Sequence, residues 1–165
     1  MWRGGSSAII KNALKESNSE NKFYIADTFK GVVKAGSRED SFYTGGEHSD
    51  TNIGYVKDLF KKIDIEEPLI MVGIFPDDFQ DIAIQNLAFV HSDVDAYEST
   101  KGIIEWCIPK MLKGGIIVFD DYGFYHCDGV TKYVDNLMLD PEINQKFRFC
   151  LLYTSDAADE QQRVC

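Results

Sequence analysis

Apolar residues recur along the chain in two alternating rhythms, a helical stripe and a short unbroken run, and the alternation predicts the order of elements. Ile9, Ile10, Ala13 and Leu14 share one helical stripe ahead of the polar stretch from Glu16 to Asn21, and Ser6 or Ser7 suits the cap of that helix. Phe23 to Asp27 is a short apolar run ending in an acid, the pattern of a buried strand. Gly31 to Asp50 has no period and is rich in Gly, Ser and charge, which predicts a loop long enough to act as a lid. Thr51 or Asn52 then opens a helix in which Val56, Leu59, Phe60 and Ile63 recur at helical spacing. Pro68 precedes a strand from Leu69 to Gly73.

The second half repeats the rhythm. Leu87 to Val90 is an apolar run followed at once by His91-Ser92-Asp93-Val94-Asp95. Asp95 and Glu98 have the spacing of a capping box for a helix with Ile104, Cys107, Ile108 and Met111 on its inner stripe. Pro109 is expected to kink that helix near its end, and Gly114-Gly115 to stop it. Ile116 to Phe119 is strongly β-prone and delivers Asp120-Asp121 at its carboxyl end. Val130, Tyr133, Val134 and Leu137 mark one face of a further helix. Helices alternating with short buried strands predict a mostly parallel α/β sheet flanked by helices, which binds ligands at the carboxyl ends of its strands.

Composition narrows the partners. A chain of 165 residues suits one domain with a single core. The formal charge of -10 and a sequence pI near 4.7 argue against nucleic acid or an anionic membrane, both of which need clustered Lys and Arg. No apolar run approaches the roughly 20 residues needed to cross a bilayer. Cys107, Cys127, Cys150 and Cys165 are widely spaced without a CxxC pair, so neither a zinc cage nor a disulfide framework is expected, and the default setting is cytoplasmic.

The two ends read differently from the rest. From Cys150 the string CLLYTSDAADE resembles the translation of a transposon-end sequencing adapter, so residues 150–165 are expected to be foreign or disordered and residues 1–149 to form the domain. Met1 to Ser7 reads as the middle of a strand-to-helix turn, because a Gly pair runs into a helical pattern with no strand before it. A truncated start is therefore expected.

The candidate chemistry lies at the strand ends. Asp27, Asp93, Asp120 and Asp121 all end predicted strands, so one fold gathers them along one rim. Three converging carboxylates repel one another unless a cation lies between them, and oxygen-only ligands favour Mg²⁺ or Mn²⁺ over zinc. Such acids also serve as helix caps and turn formers. Gly4-Gly5-Ser6-Ser7 leading into a helix lets backbone N–H groups approach an anionic ligand, and an acid about 20 residues later is where dinucleotide-type folds bind ribose. Tyr43, Tyr122, Phe124 and Tyr125 suit either a substrate pocket or rim packing.

Taken together, Trp2 to Ser7, YIADTFKG, GIFPDDF, HSDVDAYEST and GGIIVFDDYG resemble the macrocin O-methyltransferase family, which methylates sugar hydroxyls on natural products. The resemblance covers roughly Met1 to Pro141 and implies a Rossmann-like class I methyltransferase fold, incomplete at its first strand and its C-terminal strands. It implies S-adenosylmethionine and Mg²⁺ as cofactors, and a small-molecule hydroxyl substrate such as a sugar or other vicinal diol. By the resemblance, Gly4, Gly5, Ser6 and Ser7 lie by the methionine part, Asp27 holds the ribose, and Gly73 and Phe75 lie near the adenine. Asp93, Asp120 and Asp121 become the metal ligands. The catechol-type enzymes carry a Lys three residues after the first metal acid, where this chain has Ala96, so Asp93, His91 and His126 stand as candidate bases. The helices that family members use to cover substrate and to dimerise have no counterpart here, so a homodimer belongs to the intact parent.

Two rivals fit less of the chain. Asp93-Val94-Asp95 with Asp120-Asp121 mimics an Mg²⁺-dependent phosphatase of the haloacid dehalogenase type, and an acidic pocket also suits a non-catalytic receiver-like domain. Neither gives the glycine turn and Asp27 a task. An NAD-binding domain lacks its GxGxxG spacing here.

Overall fold

The computed structural model describes residues 2–150, so the adapter-like stretch after Cys150 lies outside the described residues. Contacts divide the chain into two compact units, Met1–Tyr133 and Val134–Cys165. In the first unit the order is α1 (Gly5–Glu16), β1 (Tyr24–Asp27), α2 (Ile53–Lys62), β2 (Leu69–Val72), β3 (Leu87–Ser92), α3 (Tyr97–Cys107) and β4 (Met111–Phe119), followed by the start of α4 (Asp128–Leu139). The fold is α/β with parallel strands flanked by helices. The strands form two separate parallel pairs, β1 with β2 and β3 with β4, where one continuous sheet was expected.

The first pair runs in register from Tyr24 opposite Leu69 to Asp27 opposite Val72, which brings both carboxyl ends to one level. Its core is Ala8, Ile25, Val56 and Phe60, with Phe23, Leu59 and Ile70 packed around them. Val56 and Phe60 are fully buried, and each stabilises the unit by roughly 1.5–3 kcal/mol. The helical stripe of α2 is thus as expected, and Asn52 caps it by accepting a hydrogen bond from the Tyr55 N–H at 3.1 Å. The stripe expected for α1 is turned: Ile9 is 73% exposed, and Ser7 and Ala8 face inward instead. The N-cap of α1 is Gly4 at φ 86, without a side-chain cap, so Ser6 and Ser7 sit inside the first turn rather than capping it.

The second pair differs from expectation at β4. The α3 helix ends at Cys107, Pro109 lies in a following 3-10 turn, and the strand already begins at Met111. Between the pairs Leu87–Met111 and Phe89–Ile116, β4 carries extra residues, and Gly114 at φ 82 supplies the left-handed turn that this irregularity needs. The Gly pair thus bulges a strand instead of ending a helix.

The N-cap of α3 is also not the expected one. Ala96 occupies the position without a side-chain bond, and the Tyr97 N–H donates to Asp40 Oδ1 at 2.9 Å, from a loop 57 residues earlier. That loop closes on itself, with the Val32 N–H donating to Glu47 O at 2.8 Å and the Gly46 N–H to Val32 O at 2.9 Å. Ser99 Oγ donates to Val33 O at 2.7 Å, Lys34 pairs with Asp77 at 2.7 Å, and Ser41 donates to Asp128. The expected lid is therefore an Ω-shaped loop tied to α3 and to the start of α4.

In the second unit, the rest of α4 is followed by α5 (Pro141–Lys146). Asp140 caps α5 by accepting from the Glu142 and Ile143 N–H groups, and Pro141 fits its first turn.

Candidate functional site

The left-handed Gly4 turns the chain into α1 so that the first residues of the helix open on a cavity of about 500 Å³. Gly5 and Ser6 line it on one side, and the first turn of α1 carries no acidic side chain, so its N–H groups and dipole favour an anion. A Cβ on Gly4 would stand only 3.3 Å from Val56, which keeps the turn tight against α2. Ser7 is buried.

At the end of β1, Asp27 lines the same cavity, and its Oδ1 accepts the Phe29 N–H at 2.7 Å, which orients the carboxylate at the strand tip. Its carbonyl accepts the Gly73 N–H at 3.0 Å, so the ends of β1 and β2 are locked together. A Cβ on Gly73 would meet Asp78 Oδ2 at 2.9 Å, so the β2 exit admits only glycine without displacement. Phe75 follows, lines the cavity, and meets the Trp106 ring edge-on at 4.8 Å. Gly5, Ser6, Asp27, Gly73 and Phe75 are thus five of the seven expected cofactor positions brought to one wall.

The opposite wall carries Asp93 and Asp95, both half-buried. Asp93, Asp120 and Asp121 each present a carboxylate oxygen, and the three atoms lie within 4.8 Å of one another. Asp120 N–H donates to Ser92 O at 3.0 Å, which ties the end of β4 to that of β3 and sets the three acids together. Burial first, then repulsion from Asp95, Asp93 and Asp120, raises the Asp121 carboxyl to about 6. These three side chains form a group whose oxygen donors are of the type a hard divalent cation takes.

Asp95 is a residue that sequence reasoning assigned to a capping box. With Asp40 capping α3, its carboxylate is released to face the Tyr43 hydroxyl and lies 3.8 Å from the Cys127 thiol, and its N–H donates to Asp121 Oδ2 at 3.1 Å. Burial raises its pKa, with the Tyr43 hydroxyl opposing that shift. His48 was also missed. It lines the cavity from the Ω-loop, 3.4 Å from the Tyr43 hydroxyl and edge-on to Trp2 at 5.7 Å. Nothing in local periodicity marks His48, because only the closure of the loop carries it there. Of the two histidines expected as bases, His91 sits on β3 with Nε2 3.2 Å from Asp120 Oδ1, and His126 stacks against Phe42 and Tyr125. Neither lines the cavity.

One cavity thus joins a helix amino terminus, the strand-end Asp27 and Phe75 to Asp93, one member of a cluster of three carboxylates. A family profile described as macrocin-O-methyltransferase (TylF) matches residues 1–149. The chain belongs to that family. It is 27% identical over 143 residues to the 8-demethyl-8-(2,3-dimethoxy-alpha-L-rhamnosyl)-tetracenomycin-C 4'-O-methyltransferase of Streptomyces olivaceus, over 81% of this chain and 55% of that protein. It is 27% identical over 131 residues to the demethyldecarbamoylnovobiocin O-methyltransferase of Streptomyces niveus, over 74% of this chain and 50% of that protein. The solved O-methyltransferase NovP shares the fold, with a TM-score of 0.71 over 84% of this chain and 60% of that one, at 24% identity. The chain therefore spans about half the length of the curated relatives it matches.

Proposed function

We propose that this chain carries the cofactor and metal half of an enzyme that transfers a methyl group from S-adenosylmethionine to a hydroxyl of a small molecule bearing a vicinal diol. The supporting observation is the single cavity on which Gly5, Ser6 and Asp27 face Asp93 and Asp95. The acceptors printed in the relatives' names, a rhamnosyl tetracenomycin among them, favour a natural-product sugar.

In this reading the N–H groups of the first turn of α1 bind the cofactor carboxylate, Asp27 accepts from the ribose hydroxyls, and Phe75 walls the adenine. Bound there, S-adenosylmethionine supplies an electrophilic methyl group. Asp93, Asp120 and Asp121 would hold Mg²⁺, whose charge lowers the pKa of an acceptor hydroxyl. Asp95, raised by burial, takes the proton from that hydroxyl at its carboxylate oxygen, because a base of raised pKa is the better proton acceptor. Tyr43 and Asp121 hold Asp95 in place from two sides, the first through its hydroxyl and the second by accepting the Asp95 N–H. No helix among the described residues is long and apolar enough to cross a membrane.

Titration of Mn²⁺ into the full chain, followed by the loss of its free-ion paramagnetic resonance signal, tests the metal centre. The expected result is one bound ion per chain, abolished in Asp120→Asn/Asp121→Asn. Equal binding by that variant and the parent chain would place the metal elsewhere.

A further inference from the structure

The glycine turn that leads into α1 is gripped by a residue far from it in sequence. Trp2 has φ 41 and Gly4 φ 86, so two left-handed residues flank Arg3 in the turn that delivers Gly5 and Ser6 to the cavity. Gly4 adopts that conformation freely, whereas the side chain of Trp2 disfavours it. Burial does not keep Trp2 there, because it is 46% exposed. Hydrogen bonds to one short segment do. Asp50 Oδ1 accepts the Trp2 indole N–H at 2.7 Å, Asp50 Oδ2 accepts from the Arg3 guanidinium, and the Thr51 hydroxyl donates to the Trp2 carbonyl.

The two groups that Asp50 grips also rest on each other, with the Arg3 guanidinium 4.6 Å from the centre of the Trp2 ring. The hydrogen bonds from Trp2, and next those from Arg3, hold the Asp50 carboxyl below the usual carboxylate range. Asp50 and Thr51 directly precede Asn52, the cap of α2, so that helix places the segment. The turn leans on α2 a second time through Gly4, which lies against Val56. An exposed ion pair by itself adds little to stability. Its effect here is on shape: Trp2, Arg3 and Thr51 line the same cavity as Gly5, Ser6 and Asp27, whereas Asp50 reaches that wall only through the residues it holds.

We infer that Asp50 is a positioning residue for the amino-acid end of the cofactor: by holding Trp2 and Arg3 it presets the left-handed turn whose N–H groups receive the carboxylate. This rests on the S-adenosylmethionine reading of the cavity and adds a residue behind the cavity wall that sets the affinity. Presetting one wall strengthens binding only of the ligand group that meets it. The adenosine end, at Asp27 and Phe75, is therefore independent of Asp50.

The test compares two probes, S-adenosylhomocysteine and 5′-deoxy-5′-methylthioadenosine, which keeps the adenosine and the sulfur but lacks the amino-acid group. Each is titrated calorimetrically into the full chain. The parent chain is expected to favour S-adenosylhomocysteine about tenfold, and Asp50→Ala to bring that ratio to about one by weakening S-adenosylhomocysteine alone. Asp50→Asn, which retains an acceptor for the indole N–H, is expected to keep a ratio of about three. Unchanged binding of the second probe shows that the variant's cavity is folded, and a merely structural role would move both probes together. Unchanged or tighter S-adenosylhomocysteine binding by Asp50→Ala, an equal loss of both probes, or a parent ratio of about one overturns the positioning role while leaving the cofactor cavity in place. A parent chain that binds neither probe overturns the cofactor reading as well.

Discussion

Asp40 caps α3 from across the chain, and this placement leaves Asp95 facing the cavity. The arrangement calls for an acceptor atom at position 40 more than for a charge. Asp40→Ala is expected to cost about 1 kcal/mol of stability in urea unfolding, whereas Asp40→Asn, an equally good cap, stays close to the parent chain. Equal losses in the two variants would assign the effect to charge. Asp121 carries a second consequence. Its folded-state pKa of about 6 lies above the ordinary 3.8, so the stability associated with its proton is full below 3.8 and is lost as pH rises through 6. Calorimetric melting in the presence of a chelator is expected to show Asp121→Asn more stable than the parent chain at pH 7.5, by on the order of 1–2 kcal/mol, with the gap closing by pH 4. A gap of the same size at both pH values would remove the burial of this carboxyl from the account.

At the scale of elements, the Ω-loop depends on a close approach at one glycine. Gly31 has φ 86, and a Cβ there would stand 2.3 Å from the Glu47 carbonyl. Gly31→Ala therefore forces the loop ends apart, and amide hydrogen exchange of Val32 and Gly46 is expected to speed up at least tenfold, with α2 unchanged. Protection retained at both amides would show that the closure tolerates a side chain. The elements themselves were largely legible: the stripe of Val56 and Phe60, and the apolar runs ending at Asp27 and Asp93, follow from periodicities of 3.6 and 2. What was not legible came from distant partners. Ser6 and Ser7 look like caps, yet Gly4 reaches a left-handed turn they cannot adopt cheaply. Asp95-x-x-Glu98 looks like a capping box, yet Asp40 has displaced it. The Gly114-Gly115 pair reads as a helix stop, but pairing with β3 turns it into a strand bulge. His48 and the Phe42–His126 stack carry no periodic signal, since long-range loop closure puts them where they are.

At the scale of the molecule, the carboxyl ends of β1, β2 and β3 reach one cavity, with Asp27, Gly73 and Phe75 on one wall and Asp93 on the other, and β4 sets Asp120 and Asp121 beside Asp93. The division explains how a chain spanning about half the length of its relatives holds together the candidate residues for both cofactor and metal. The tool that reaches the central claim most directly is calorimetric titration of S-adenosylhomocysteine into the full chain, beside the Asp27→Ala variant and with circular dichroism confirming that both are folded. Micromolar binding by the parent chain, weakened at least tenfold by Asp27→Ala, is the expected result. A folded parent chain that binds no S-adenosylhomocysteine, or binds it equally well without the Asp27 carboxylate, would contradict it.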